Sequence, residues 1–103
     1  MGLFSIRKTK TDYYNTGEIE SIYQTLNNQL DGWFKMYHKN GQLKVITNHK
    51  KGIQLDEIIK SYDETGNLIR TVEFKNGFLN GSFKEFYSSG KIKTEGIYSN
   101  NVI

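Results

Sequence analysis

The sequence of 103 residues contains no cysteine, no proline and no alanine. Without cysteine the chain can form neither a disulfide framework nor a thiolate zinc site, and nothing points to an oxidising compartment, so we expect a cytoplasmic protein. The absence of alanine disfavours helices, whereas Tyr, Phe and Trp make up 14% of the chain and favour strands. The composition therefore indicates one all-β domain.

Long apolar runs are also missing. The opening segment, residues 1–10, has an apolar patch of only Leu3, Phe4 and Ile6, which is too short for a secretory signal or a membrane span. We expect residues 1–10 to form an N-terminal tail and residues 11–103 to form the folded domain.

What the chain does contain is a repeat. Four glycines, separated by 24, 25 and 24 residues, each lie in the same short pattern: Lys or Thr, any residue, an aromatic, three residues of any kind, Gly, any residue, Ile or Leu. These repeat glycines are Gly17, Gly41, Gly66 and Gly90. Eleven residues after each is an Asn or Gly, the residues that most readily accept a left-handed backbone. Each unit therefore has two turns, and four units predict an antiparallel meander of about eight short strands.

The residue before each repeat glycine decides the type of the first turn. A two-residue type I′ turn needs positive φ at both central positions, and threonine, which stands there in two repeats, adopts it poorly. A three-residue loop closed by a left-handed glycine fits better, and it places the aromatic of the pattern opposite the aliphatic residue. The predicted cross-strand pairs are Tyr13 with Ile19, Tyr37 with Leu43, Tyr62 with Leu68, and Phe86 with Ile92.

A simple two-residue alternation, carried outward from these pairs, predicts the two faces of the sheet. The face of the repeated aromatics is predicted to carry also Trp33, Val45, Ile58, Val72, Phe74 and Tyr98. On the other face the alternation places Phe34, Met36, Ile46, Ile59, Ile69, Phe83 and Ile97. Neither face is purely polar. One of them must therefore be covered by a partner, by a second copy or by curling of the sheet, because large exposed apolar patches are uncommon on monomers.

The repeated pattern resembles the MORN repeat, and in particular the bacterial variant called the YwqK-family antitoxin. The resemblance covers residues 11–103 and rests on the Tyr-x-x-x-Gly-x-Leu core of residues 37–43 and 62–68 and on the run of residues 74–86. It implies an elongated, twisted sheet of hairpins that holds no cofactor. Glu57 stands where other units have Gly32 and Gly81, and an extra residue follows Gly52, so we expect the third repeat junction to be bent.

Residues suited to catalysis are few. The two histidines, His38 and His49, are predicted to point to opposite faces, so they cannot share a metal ion or act together as acid and base. We interpret both as surface histidines. The acidic neighbours at residues 56–57 and 63–64 lie in turns and diverge, and the chain has neither a P-loop nor a nucleophile elbow. We predict a protein that is not an enzyme and that binds no metal.

The net charge of +3 comes from many lysines but only two arginines, Arg7 and Arg70. Arginine is the usual reader of base edges, so nucleic-acid binding is not favoured. Lys35, Lys60 and Lys84 occupy equivalent places on the face of the repeated aromatics, at a predicted step of about 10 Å. Two interpretations remain: the lysine stems cover the aromatic face and keep the sheet soluble, which we favour, or the stripe binds an acidic partner.

Three functions remain open. The first and favoured one is an antitoxin or immunity protein that blocks a toxin with its aromatic face. Its candidate contact residues are Trp33, Phe34, Lys35, Tyr37, Lys60, Tyr62, Phe83, Lys84, Phe86 and Tyr87. The second is a module that binds anionic membranes through residues 1–10, where Leu3, Phe4 and Ile6 lie beside Arg7, Lys8 and Lys10. The third is a scaffold that forms homo-oligomers through an open sheet edge near residues 101–103, where another repeat would begin.

Overall fold

A computed structural model describes residues 6–99, and this part of the chain forms one antiparallel sheet. Its strands are β1 (Arg7–Tyr13), β2 (Ile19–Leu26), β3 (Gln29–Tyr37), β4 (Leu43–Lys50), β5 (Ile53–Gln54), β6 (Glu57–Tyr62), β7 (Leu68–Lys75), β8 (Phe78–Phe86) and β9 (Ile92–Tyr98). They lie in the order β1-β2-β3-β4-β6-β7-β8-β9, with the short β5 paired to β4. The sheet is open and measures 50 × 35 × 18 Å. The predicted all-β meander is confirmed.

The first turn of every hairpin has the predicted three-residue loop. In the first hairpin the Gly17 amide donates to the Tyr14 carbonyl at 2.9 Å, and the Tyr14 amide donates to the Glu18 carbonyl at 2.8 Å. Gly17 has φ of +102°, and the other three repeat glycines are also positive, so each first turn is closed in the left-handed region. All four predicted aromatic–aliphatic pairs are confirmed by the strand register.

The second turns connect the hairpins at the other end of the strands. They have positive φ at two successive residues, as a two-residue type I′ turn requires. These residue pairs are Asn27 with Asn28, Lys51 with Gly52, and Asn76 with Gly77. The Asn or Gly that the sequence places eleven residues after a repeat glycine therefore forms this turn in the three repeats whose second turn is described.

A bulge beside each first turn resets the alternation of side chains. Met36 lies opposite Val45, but Tyr37 lies opposite Leu43, so Lys44 is an extra residue in β4. Residues directly opposite share a face, and Val45 therefore lies with Met36 and not with Tyr37. The equivalent shifts move Val72, Phe74 and Tyr98 to the face of Phe34, and Ile46 and Ile97 to the face of Tyr37. The predicted face was wrong for these residues because simple alternation does not count the bulged residue.

Within residues 6–99 the two buried apolar side chains, Val72 and Tyr98, lie on the same face, which we call the packed face. It carries Tyr23, Phe34, His49, Val72, Phe83 and Tyr98. The rings of Tyr23 and Phe34 stack with centroids 5.0 Å apart, and those of Phe83 and Tyr98 lie 4.7 Å apart. Val72 is only 5% exposed and Tyr98 only 7%. Arg70 donates a hydrogen bond of 3.0 Å to the hydroxyl of Tyr98, so the buried polar end of this ring has a partner.

The third repeat junction is irregular, at the place where the sequence departs from the repeat. One residue pair, Val45 with Ser61, joins β4 to β6. Gly32 and Gly81 have φ of +111° and +113°, and the side chains of Gln24 and Glu73 lie where a Cβ would be. Glu57 stands in the equivalent position, and its carboxylate accepts a hydrogen bond of 2.8 Å from the main-chain amide of Asn48.

The N-terminal boundary differs from the expected one. Residues 7–10 belong to β1 and pair with β2, so the sheet begins before residue 11. Arg7 forms an ion pair of 2.5 Å with Asp31, which is buried, and its guanidinium is therefore engaged within the fold. Leu3 and Phe4, on which the membrane hypothesis depends, lie outside the described residues, as do residues 101–103. Within residues 6–99 no helix is long and apolar enough to cross a bilayer.

Candidate functional site

One row of side chains crosses the sheet on the face opposite the packed face. The strand register gives its order as Thr11, Ile22, Lys35, Ile46, Lys60, Thr71, Lys84 and Glu95. Lysines stand on alternate strands and are therefore separated by two strand spacings, about 9.6 Å. We call this surface the lysine face. The predicted stripe of equivalent lysines thus lies on one face, with an aliphatic residue or threonine between successive members.

The repeated aromatics form a second row on the lysine face, beside the first turns. Each aromatic lies opposite its aliphatic partner, as in the pair Tyr37 and Leu43. The pairs in the middle of the sheet are half-buried, whereas Tyr13 and Ile92, on the outermost strands, are 60% and 50% exposed. The exposure follows from position, because an outermost strand has a neighbour on one side only.

Two grooves on the lysine face share two equivalent positions of successive repeats. The first has a volume of about 460 Å³ and is lined by Ile19, Ile22 and Tyr37, with Lys39 at its side. The second, of about 170 Å³, is lined by Ile46, Ile58, Lys60 and Tyr62. In each, an aliphatic residue five after one repeat glycine meets the aromatic four before the next.

The third repeat has Thr71 in the position five after its glycine, where the first two have isoleucine. The aromatic four before the next repeat glycine is Phe86. The apolar character of the grooves is therefore concentrated in the N-terminal half of the sheet.

The three lysines of the row have different surroundings. The ammonium of Lys35 lies 4.4 Å from the centre of the Trp33 ring, a cation–π distance. Lys60 is exposed at the second groove, and Lys84 is exposed opposite Glu95 on β9. The interpretation that lysine stems cover aromatic surface describes Lys35, whereas Lys60 and Lys84 present charge to solvent.

The structure brings together seven of the ten predicted contact residues. The lysine face carries Trp33, Lys35, Tyr37, Lys60, Tyr62, Lys84 and Phe86. Phe34 and Phe83 lie instead within the ring stacks of the packed face. Tyr87 lies in the first turn of the last hairpin. Ile22 and Ile46 were not among the predicted contact residues, although both stand five residues after a repeat glycine, a recurrence that could have identified them.

The histidines lie apart, but neither is a free surface side chain, which corrects our interpretation. His38 Nε2 lies 2.7 Å from the Tyr62 carbonyl oxygen. His49 Nε2 lies 2.9 Å from the Thr47 hydroxyl, and its ring meets Phe34 edge-on. Burial lowers the pKa of His49, and nearby Glu57 partly offsets this effect. Within residues 6–99, no three His, Asp or Glu side chains converge on a common metal position.

The hairpins correspond to a known sequence family. The model of the MORN repeat variant matches residues 30–51, 58–76 and 79–100, more than half of the chain. The three matches fall on β3–β4, β6–β7 and β8–β9, one hairpin each. The chain belongs to the MORN repeat variant family. No curated protein and no solved structure matches it. The hairpin β1–β2 of this MORN protein lies outside the matched ranges, yet it has the same first turn and the same aromatic–aliphatic pair.

Proposed function

We propose that this MORN repeat protein is a non-catalytic protein-binding module whose partner lies on the lysine face. The observation that carries the proposal is the convergence of seven predicted contact residues on that face, beside two grooves in which an isoleucine meets a repeated tyrosine. Aromatic side chains dominate the energetics of protein interfaces, and apolar grooves receive the anchor residues of a partner.

The chemistry of the face favours an acidic partner. Exposed apolar residues lie on it, among them Ile58 at 58% and Ile97 at 77% exposure, whereas Val72 and Tyr98 on the packed face are buried. Lys60 and Lys84 present positive charge between these apolar contacts. A partner surface with apolar anchors and carboxylates between them would match both features, since charge complementarity sets partner choice and speeds association.

We further propose that the protein acts as a bacterial, cytoplasmic antitoxin that blocks a toxin by covering part of its surface. The support is the resemblance of residues 37–43 and 62–68 to the YwqK-type repeat, together with the grooves and exposed lysines of the lysine face. Occlusion needs only a stable complex, and a rigid sheet of repeats can supply the required surface.

Affinity capture from a lysate of the source cells tests the protein-binding proposal. The bait is the full chain, compared with the double variant Trp33→Ala, Tyr62→Ala on the lysine face. Leu55→Ala is the matched control, because Leu55 is exposed but lies between β5 and β6, outside both grooves. We expect one stoichiometric protein to be retained by the wild type and the control and lost with the double variant. Equal retention by all three folded baits would contradict binding on this face.

Co-expression tests the antitoxin proposal separately. A captured toxin should arrest growth when it is expressed alone, and growth should recover with the wild-type chain but not with the double variant. A captured partner that is harmless when expressed alone would reject the antitoxin role and leave the binding module in place.

A further inference from the structure

The first turns of successive hairpins are tied together by a repeated side-chain contact. The Tyr14 hydroxyl donates to the Tyr37 carbonyl oxygen at 2.6 Å, and His38 Nε2 lies 2.7 Å from the Tyr62 carbonyl oxygen. In both cases the side chain of the residue three positions before a repeat glycine contacts a main-chain oxygen. That oxygen belongs to the aromatic residue four positions before the next repeat glycine. The third repeat has Asp63 in this position, and its carboxylate instead accepts bonds from Thr65 and Asn67 in its own turn.

The last repeat again has a tyrosine in this position, Tyr87. Its side chain is 52% exposed and lies in the first turn between β8 and β9. No other residue in the described range 6–99 hydrogen-bonds to its hydroxyl. The equivalent acceptor would be a main-chain carbonyl on a strand that continues the sheet beyond β9.

The two outermost described strands expose the two halves of one groove. Tyr13 on β1 is the equivalent of Tyr37, and Ile92 on β9 is the equivalent of Ile19. Inside the sheet, Ile19 and Tyr37 line the first groove together. Tyr13 and Ile92 are both largely exposed, at opposite edges of the sheet. Each edge therefore presents what the other would need to complete a groove.

We infer that β9 of one copy pairs with β1 of a second copy, so that the sheet continues from chain to chain. The pairing is antiparallel and repeats the register of β2 with β3, in which Ser21 faces Met36 and Ile22 faces Lys35. By equivalence, Thr94 faces Asp12 of the second copy, and Glu95 faces Thr11. The Tyr87 hydroxyl then donates to the Tyr13 carbonyl of the second copy, as Tyr14 does to Tyr37.

The main-chain donors of β1 point the right way for this pairing. The Tyr14 amide donates to Glu18 and thus faces β2. Successive amides of a strand point in opposite directions, so the amides of Tyr13 and Thr11 face the open edge. In β3 the His38 amide donates to Gln42 and thus faces β4, so the amide of Lys35, the equivalent of Thr11, faces β2, where Ile22 is its partner. Thr11 and Glu95 are therefore placed to exchange both of their hydrogen bonds across the interface.

This interface joins two different edges, so each added copy leaves one β1 and one β9 edge free. Such a head-to-tail contact produces open chains or rings, and not a closed two-fold dimer. One short strand pair buries less surface than a standard stable interface, so assembly is expected to depend strongly on concentration. The interface uses the strand edges and, on the lysine face, only the outermost residues Tyr13 and Ile92. Trp33 and Tyr62, on which the test of partner binding rests, lie on inner strands, so the two proposals can fail separately.

Blocking one edge at a time tests the inference. Thr11→Pro removes an outward amide from β1, and Glu95→Pro does the same for β9, at edge positions where proline is tolerated. By light scattering, the wild type should grow in mean mass as its concentration rises to about 1 mM, a range that detects weak complexes. Each proline variant alone should remain a monomer, and their equimolar mixture should form a heterodimer that grows no further. A monomeric wild type, or assembly by a single variant alone, would overturn the inference.

A second set of variants guards against misfolding by proline. Tyr13→Glu and Ile92→Glu alter exposed side chains at the two edges and should block assembly while the circular dichroism spectrum is unchanged. Tyr87→Phe removes only the hydroxyl and should weaken assembly about fivefold, the effect of one hydrogen bond. Tyr14→Phe is its control, since it removes an internal bond and should leave assembly unchanged. If Tyr87→Phe assembled as strongly as the wild type, the predicted bond to Tyr13 would not exist.

Discussion

The hydroxyl of Tyr14 donates a hydrogen bond of 2.6 Å to the main-chain oxygen of Tyr37, 23 residues later at the tip of the next hairpin. The bond joins two repeats through their turns, outside the strand ladders. Because a half-buried carbonyl loses its partner, Tyr14→Phe should lower the free energy of unfolding by about 1 kcal/mol. Urea denaturation measures the loss. Tyr87→Phe, studied in dilute solution, is the control and should have no effect; equal losses in both variants would contradict the role of this bond.

The stability of the fold should fall as the pH drops below about 6.5, in part because of His49. Burial lowers the pKa of this side chain, so the unfolded chain takes up the proton first and protonation favours unfolding. His49→Leu should flatten this part of the profile of unfolding free energy against pH. Thr47→Val keeps the imidazole and should keep the pH dependence. An unchanged slope in His49→Leu would show that other groups cause the dependence.

Truncation of the packed face should cost far more than truncation of the lysine face. Val72→Ala removes two methyl groups from a nearly inaccessible position and should lower the free energy of unfolding by about 2 kcal/mol. Ile97→Ala, at a residue 77% exposed, should change it by less than about 0.5 kcal/mol. Chemical denaturation of the two variants makes the comparison. Similar losses would mean that the lysine face is covered within the free protein.

The turns, the strand order and the aromatic–aliphatic pairs could be predicted from the sequence because glycine spacing fixes them locally. Positive φ is cheap for glycine and costly for other residues, so the position of Gly41 determines the turn and hence the pairing of Tyr37 with Leu43. The faces were harder. The bulge at Lys44 adds one residue to β4 and reverses every later side chain, and no residue type marks it.

Part of the candidate site could be predicted, namely the residues that lie before a bulge in their strand. Lys35, Tyr37 and Trp33 lie on the unbulged strand of their hairpin, where alternation holds, so their common face could be predicted. Ile46 lies beyond the bulge and was placed on the wrong face, so its groove with Tyr62 could not be foreseen.

Gly81 should not tolerate a side chain. Its φ of +113° is unfavourable for other residues, and an added Cβ would overlap the side chain of Glu73. We expect Gly81→Ala to lower the free energy of unfolding by at least about 1 kcal/mol. Gly77→Asn is the control, because Gly77 has open space around it and asparagine tolerates a left-handed backbone. If thermal melting showed no difference between these two variants, the close approach of Glu73 to Gly81 would not constrain the fold.

We propose that a protein partner covers the lysine face, and lysine acetylation of the free and the complexed protein is the measurement that distinguishes this face from the packed face. Mass spectrometry measures the reactivity of each lysine with and without the captured partner. We predict that Lys60 and Lys84 become protected, whereas Lys8 and Lys10, which are exposed and lie on the packed face opposite Thr25 and Tyr23, stay reactive. Protection of Lys8 and Lys10 with unchanged reactivity of Lys60 and Lys84 would place the partner on the other face and contradict the claim.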